Sequence, residues 1–201
     1  MCSCSADING DDGPLKGGEV PFYHHALMLS FQDASGNDLV KGFEDDAEIT
    51  THMFPTVNPD LYKLEVIFPD GFLNPWKPDP QPGVILAERV PQLYVVTDYA
   101  EFLETGNDDY YFWLESQSVK WIMDEAERLC LPFPKMLTFE LTFPNLFGDD
   151  AVHEIVTFWK EGNGPTNSCL CYRIELDGKE YTQIAHQKLN QISVATIILD
   201  R

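Results

Sequence analysis

The stretch Leu170-Cys171-Tyr172-Arg173-Ile174-Glu175-Leu176-Asp177-Gly178-Lys179-Glu180-Tyr181-Thr182-Gln183-Ile184 decides the fold class. Residues 170–176 carry apolar and aromatic side chains at strand spacing, and residues 180–184 do so again. Between them sits Asp-Gly, a pair that tolerates the positive φ angles a two-residue hairpin turn demands. The spacing predicts strand, tight turn, strand.

The same signature recurs along the chain. Residues 136–143 alternate through Leu137, Phe139, Leu141 and Phe143. Residues 155–159 are β-branched and aromatic, and residues 193–199 close the chain with Val194, Ala195, Ile197 and Ile198. Near the start, residues 25–32 place Leu27, Leu29 and Phe31 on one face. They run into the turn cluster 33–38, and residues 39–43 are expected to return as a short strand. Residues 61–68 alternate with Leu64, Val66 and Phe68 in phase, and residues 49–54, 84–86, 93–97 and 110–114 also read as strands. One helix is expected, over residues 118–129, from the spacing of Val119, Ile122, Met123, Ala126 and Leu129 between a Ser118 cap and Pro132. Five prolines in 69–83 exclude a central strand there. Many short strands with turns between them point to a mainly β fold. The expected form is an antiparallel β-sandwich, immunoglobulin-like or related, with at most one or two short helices.

The chain has 201 residues, of which 44% are hydrophobic and 12% aromatic, which argues against global disorder. Residues 1–20 are Gly-rich, acidic and poor in apolar side chains, and read as a flexible tether ahead of a single domain over 21–201. With 33 Asp+Glu against 13 Lys+Arg, the net charge is 13 − 33 = −20. Nucleic acid and anionic membrane surfaces both need positive charge, so neither is an expected partner. No apolar run is long enough for a transmembrane helix.

Met1-Cys2-Ser3-Cys4-Ser5 opens the chain, followed by acidic residues Asp7, Asp11 and Asp12. Small residues flank Cys4 as at a lipoprotein cleavage site, so Cys4 is the expected lipidated cysteine, with Cys2 the lesser choice. The basic and apolar parts of a secretory signal are lacking, so the chain is expected to begin inside or after such a signal. Asp7, Asn9 and Asp11 alternate like calcium ligands, but Asp12 and Gly18 occupy the positions where an EF-hand loop needs Gly and Glu.

Three stretches carry a resemblance: residues 29–40, LSFQDASGNDLV; residues 141–159, LTFPNLFGDDAVHEIVTFW; and residues 171–179, CYRIELDGK. Together they resemble segments of lipoproteins from the Bacteroidales group, a family with no agreed activity. The acidic stretch behind Cys4 is similar to that group's surface-export signal. The resemblance implies a lipid-anchored, β-rich domain at the bacterial outer membrane or cell surface. It transfers no catalytic residue.

The chemistry-bearing residues read as follows. Cys169 and Cys171 lie two apart and share a strand face, which suggests burial; one of them bonding Cys130 is left open. Zinc held by that pair with His153 and His186 does not fit a known spacing, so no metal is expected. His153 adjoins Glu154, but neighbours on a strand point apart. No nucleophile elbow, P-loop or dinucleotide fingerprint occurs, and no cofactor is expected. Clusters 44–48 and 108–109 read as solvated acidic loops. Aromatics give the better hint: Trp76 in the proline-rich stretch, and Tyr110, Tyr111, Phe112 and Trp113 in a row. A strand would put two of the four on each face. Tyr110, Tyr111, Trp113 and Trp76 are therefore the candidate ligand contacts, against the alternative that they are buried. The expected function is binding or interaction, with a glycan or protein as partner. An envelope hydrolase acting on glycans, or an accessory subunit of a surface complex, stands as the alternative.

Overall fold

A computed structural model describes residues 22–43, 55–69, 93–96, 110–119, 135–162, 168–186 and 192–201. The fold is mainly β, and its strands form one connected sheet. In chain order they are β1 (Phe22–Asp33), β2 (Lys63–Ile67), β3 (Tyr94–Val96), β4 (Tyr111–Val119), β5 (Met136–Thr142), β6 (His153–Glu161), β7 (Ser168–Leu176), β8 (Lys179–Tyr181), β9 (Ile184–His186) and β10 (Ser193–Leu199). Helix among the described residues amounts to a 3-10 turn, Pro59–Leu61, and the single turn α1, Pro144–Phe147. No helix among them is long and apolar enough to cross a membrane. The tether, the strands expected at 49–54 and 84–86, and residues 70–83 lie outside the described residues.

β1 organises the sheet. One edge pairs antiparallel with β4 from Phe22 to Leu29. The other edge serves two strands in succession: His24 and His25 pair with Ser168 and Cys169 of β7, then Leu27 to Asp33 pair with β10. Both of these pairings are parallel. The sheet therefore forks, with β7-β6-β5-β2 on one branch and β10-β9 on the other.

The mainly β class with little helix is as expected, and two parallel pairings at β1 stand among the antiparallel ones. Periodicity reports which side chains are buried, and it does not report strand direction. At the fork, β7 parts from β1 and its backbone needs new partners. Cys171 N–H donates to the Ser193 hydroxyl at 2.9 Å, and the His186 Nε2–H donates to the Cys171 carbonyl at 2.8 Å.

Side chains from both branches meet in one core. Leu27, Leu29, Phe31, Phe112, Leu114 and Ile197 pack with Val66, Phe139, Leu141, Ile155 and Ile174. The phases expected for β1, β2 and β5 hold. The opposite face of β1 is buried too: Ala26, Met28, Val96, Tyr111, Ile192 and Val194 form a second cluster, with Trp113 against it.

Two elements differ from expectation. Residues 39–43 do not return as a strand; a single bridge joins Gln32 to Asp38. Carboxylates take over from a ladder there. Asp33 accepts from the Ser35 and Asn37 amides, and Asp38 accepts from Val40, Lys41 and, across to β4, Tyr110. Ser118 and Val119, expected to open a helix, end β4 opposite Tyr23 and Phe22. Pairing with β1 overrides helical spacing at that point. The rest of that helix lies outside the described residues.

Candidate functional site

The outward face of β2, β5, β6 and β7 carries the exposed aromatic and apolar side chains that the sequence placed elsewhere. Along β6, the alternating inward residues Ile155, Thr157 and Trp159 are buried, which turns Val156 and Phe158 outward. Met136 lies directly opposite Phe158 on β5. On the other side, the β6–β7 register shifts between Phe158 and Trp159: Arg173 faces Phe158, Cys171 faces Trp159, and Tyr172 is left as the extra residue. Such a bulge re-aims side chains, and bulges concentrate beside functional sites.

The result is a compact group. The Phe158 and Tyr172 rings lie 6.5 Å apart, and the Arg173 guanidinium covers the Phe158 ring at 3.7 Å. Arg173 is also held by Glu175 at 3.5 Å and Glu180 at 3.7 Å. A guanidinium over a ring face is favourable, and the two carboxylates fix its plane. Tyr172 remains 47% exposed, Met136 43% and Ile67 42%, so the patch is open to a partner. At the other end of this face three glutamates, Glu65, Glu140 and Glu154, stand directly opposite one another across β2, β5 and β6.

The sequence-predicted ligand contacts are distributed differently. Tyr111 is 3% exposed and belongs to the second core cluster. Trp113 packs against that cluster, half-buried, and Tyr110 is half-buried against the main core. Over residues 111–114 both faces of β4 are covered, Phe112 and Leu114 by the main core and Tyr111 and Trp113 by the second cluster. Trp76, Cys2, Cys4 and Cys130 lie outside the described residues, as do the acidic clusters at 44–48 and 108–109. Phe158, Tyr172 and Arg173 were missed. Their signal was the interval Cys171-Tyr172-Arg173-Ile174, whose inward residues stand three apart where a regular strand allows two.

The other reactive groups are sequestered. Cys169 and Cys171 are buried thiols. Burial pushes both pKa values up to about 12, with Glu161 adding to the rise at Cys169. A thiol so far from ionising is a poor nucleophile at neutral pH. His25 is fully buried, edge-on to Trp159 at 4.8 Å. His153 stands apart from His186, and no group of three or more His, Cys, Asp or Glu among the described residues is arranged to hold a metal.

His153 is bonded through both ring nitrogens, Nδ1 to Asp177 at 2.7 Å and Nε2 to Asp149 at 3.0 Å, and it stacks on Phe147 at 3.7 Å. Both ring nitrogens are thus occupied by carboxylates of the chain itself. Comparison of the chain with protein-family models, with curated proteins and with solved structures finds no match.

Proposed function

We propose that this chain is a binding domain of the bacterial cell envelope, lipid-anchored through Cys4, which holds a glycan against Tyr172 on the outward face of β6 and β7. The observation that carries the reading is the bulge: it sets an exposed tyrosine beside a ring–guanidinium pair flanked by Glu175 and Glu180. A sugar ring presents C–H groups to an aromatic face and hydroxyls to charged neighbours, and the patch offers both. The buried thiols and the doubly bonded His153 support binding over catalysis. A second reading, docking of a protein subunit, draws on Met136 and Ile67, whose exposed apolar side chains suit a protein surface better than a sugar.

A glycan array with the full chain tests the first reading. Tyr172→Ala is expected to weaken binding about tenfold, the scale of one lost aromatic contact, while Tyr111→Ala, in the second core cluster, changes stability rather than glycan contacts. Absence of binding to every glycan would discard the sugar platform. The anchor is tested by mass spectrometry of the N-terminal peptide from the native host. A diacyl or triacyl mass on Cys4 is expected, and an unmodified Cys4 in a membrane-free fraction would refute it.

A further inference from the structure

His153 opens β6 and sits at the meeting point of three elements. Asp149 belongs to the loop between α1 and β6, Asp177 to the β7–β8 turn, and Phe147 to α1. Both ring nitrogens engage carboxylates, and an ionised carboxylate can only accept. A neutral imidazole carries one N–H, so both bonds together require the doubly protonated ring.

The two bonds are not equally anchored. Asp177 is fixed by the backbone: its other oxygen accepts from Glu154 N–H at 2.9 Å, and its own N–H donates to the Glu154 carbonyl at 3.0 Å. Asp149 has only a local turn bond from the Ala151 amide and projects 56% exposed from its loop. Loss of one proton leaves a single N–H, which stays with the shorter, better-anchored Asp177 bond. Asp149 is then opposite a bare lone pair.

We infer that His153 is a proton-operated latch: protonated, it fastens the loop 148–152 to the β7–β8 turn; deprotonated, it releases that loop at Asp149. The surroundings support this. The charged groups at the ring are Asp149 and Asp177. Asp150 lies exposed in the same loop, and Glu154 follows on the strand. From β5 the register partner is Leu141, which is apolar, and Phe147 covers one ring face. Lys179 is bonded to Asp200, and Arg201 to the Asn145 carbonyl. Phe147 also meets the core edge-on at Phe31, 6.0 Å away, so α1 is held from the core when the loop lets go.

Nitrogen-15 NMR of the full chain tests the latch. Around pH 6 both His153 nitrogens are expected to carry protons, with His153→Gln identifying the signals. As the ring loses its proton, backbone order parameters of residues 149–152 are expected to fall from about 0.85 toward 0.6, while β5, β6 and β7 stay rigid. Asp149→Ala is expected to give the low values at every pH and to bring the His153 midpoint down. A neutral His153 near pH 6, or loop order that does not follow its titration, would overturn the inference. So would an Asp149→Ala loop as rigid as the wild type.

Discussion

His153 stabilises the fold more when it carries its proton. Burial of the ring pulls its pKa down, but hydrogen bonds and charge from Asp177 and Asp149 outweigh this, and the net pKa lies above the ordinary 6.5. A group raised in the folded state contributes fully below pH 6.5, and the contribution is lost as the pH climbs through the folded value. Asp149 has the opposite sign. The Ala151 amide and His153 hold its pKa below 3.8, so its share is lost as the pH falls through that lowered value. The expected outcome is a urea midpoint that drops between about pH 6 and pH 9 in the wild type and drops less in His153→Gln, followed by tryptophan fluorescence. Parallel curves would show that the ring is not titrating as an ion pair. Little of this was legible in the sequence. His153 was weighed against its neighbour Glu154, whereas its partners stand 4 and 24 residues away. The second distance exists only once β7 has folded back on β6.

Elements were legible where their chemistry is local. The turn after β7 has Asp177 at φ 50° and Gly178 at φ 81°, the double positive φ that Asp-Gly announces. A Cβ added to Gly178 would meet no atom within 4 Å, so Gly178→Ala tests backbone conformation alone. It is expected to cost about 1–2 kcal/mol, the penalty of the left-handed region for a residue with a Cβ, read as a lowered thermal midpoint. An unchanged midpoint would mean that the turn relaxes to another type. β10 matches its expected span of 193–199 for a similar reason, since a run of β-branched residues bounded by polar ones marks itself. By contrast, residues 39–43 looked like a strand because their apolar side chains do pack inward. Val40 is fully buried and Leu39 and Phe43 touch the core, yet past the Leu39 bond to the Phe31 carbonyl the Val40 and Lys41 amides donate to Asp38 and the Phe43 amide to the Val40 carbonyl. Burial pattern and ladder pairing are separate properties, and only the first leaves a trace in spacing.

At the scale of the molecule, the fork explains why Tyr111 is buried and why Tyr172 is exposed. Tyr110 and the first three residues of β4 offered a possible exposed pair in the sequence because a strand on one core has one outer face. Here residues 26–31 of β1 and 111–114 of β4 pack on both sides, so Tyr111 and Phe112 are both interior. The exposed aromatic arises instead where β7 leaves β1. Cys171 is buried there, and its amide donates to Ser193 while its carbonyl accepts from His186. Ile174 must face inward to reach the core between the branches. Those inward positions are three residues apart, and a pleated strand alternates by two. One residue is surplus, and Tyr172 and Arg173 are turned outward together over Phe158. The candidate binding surface is thus a consequence of how two branches share one strand. That is why no motif announced it, and why the nearest hint was a break in alternation rather than a cluster of reactive residues.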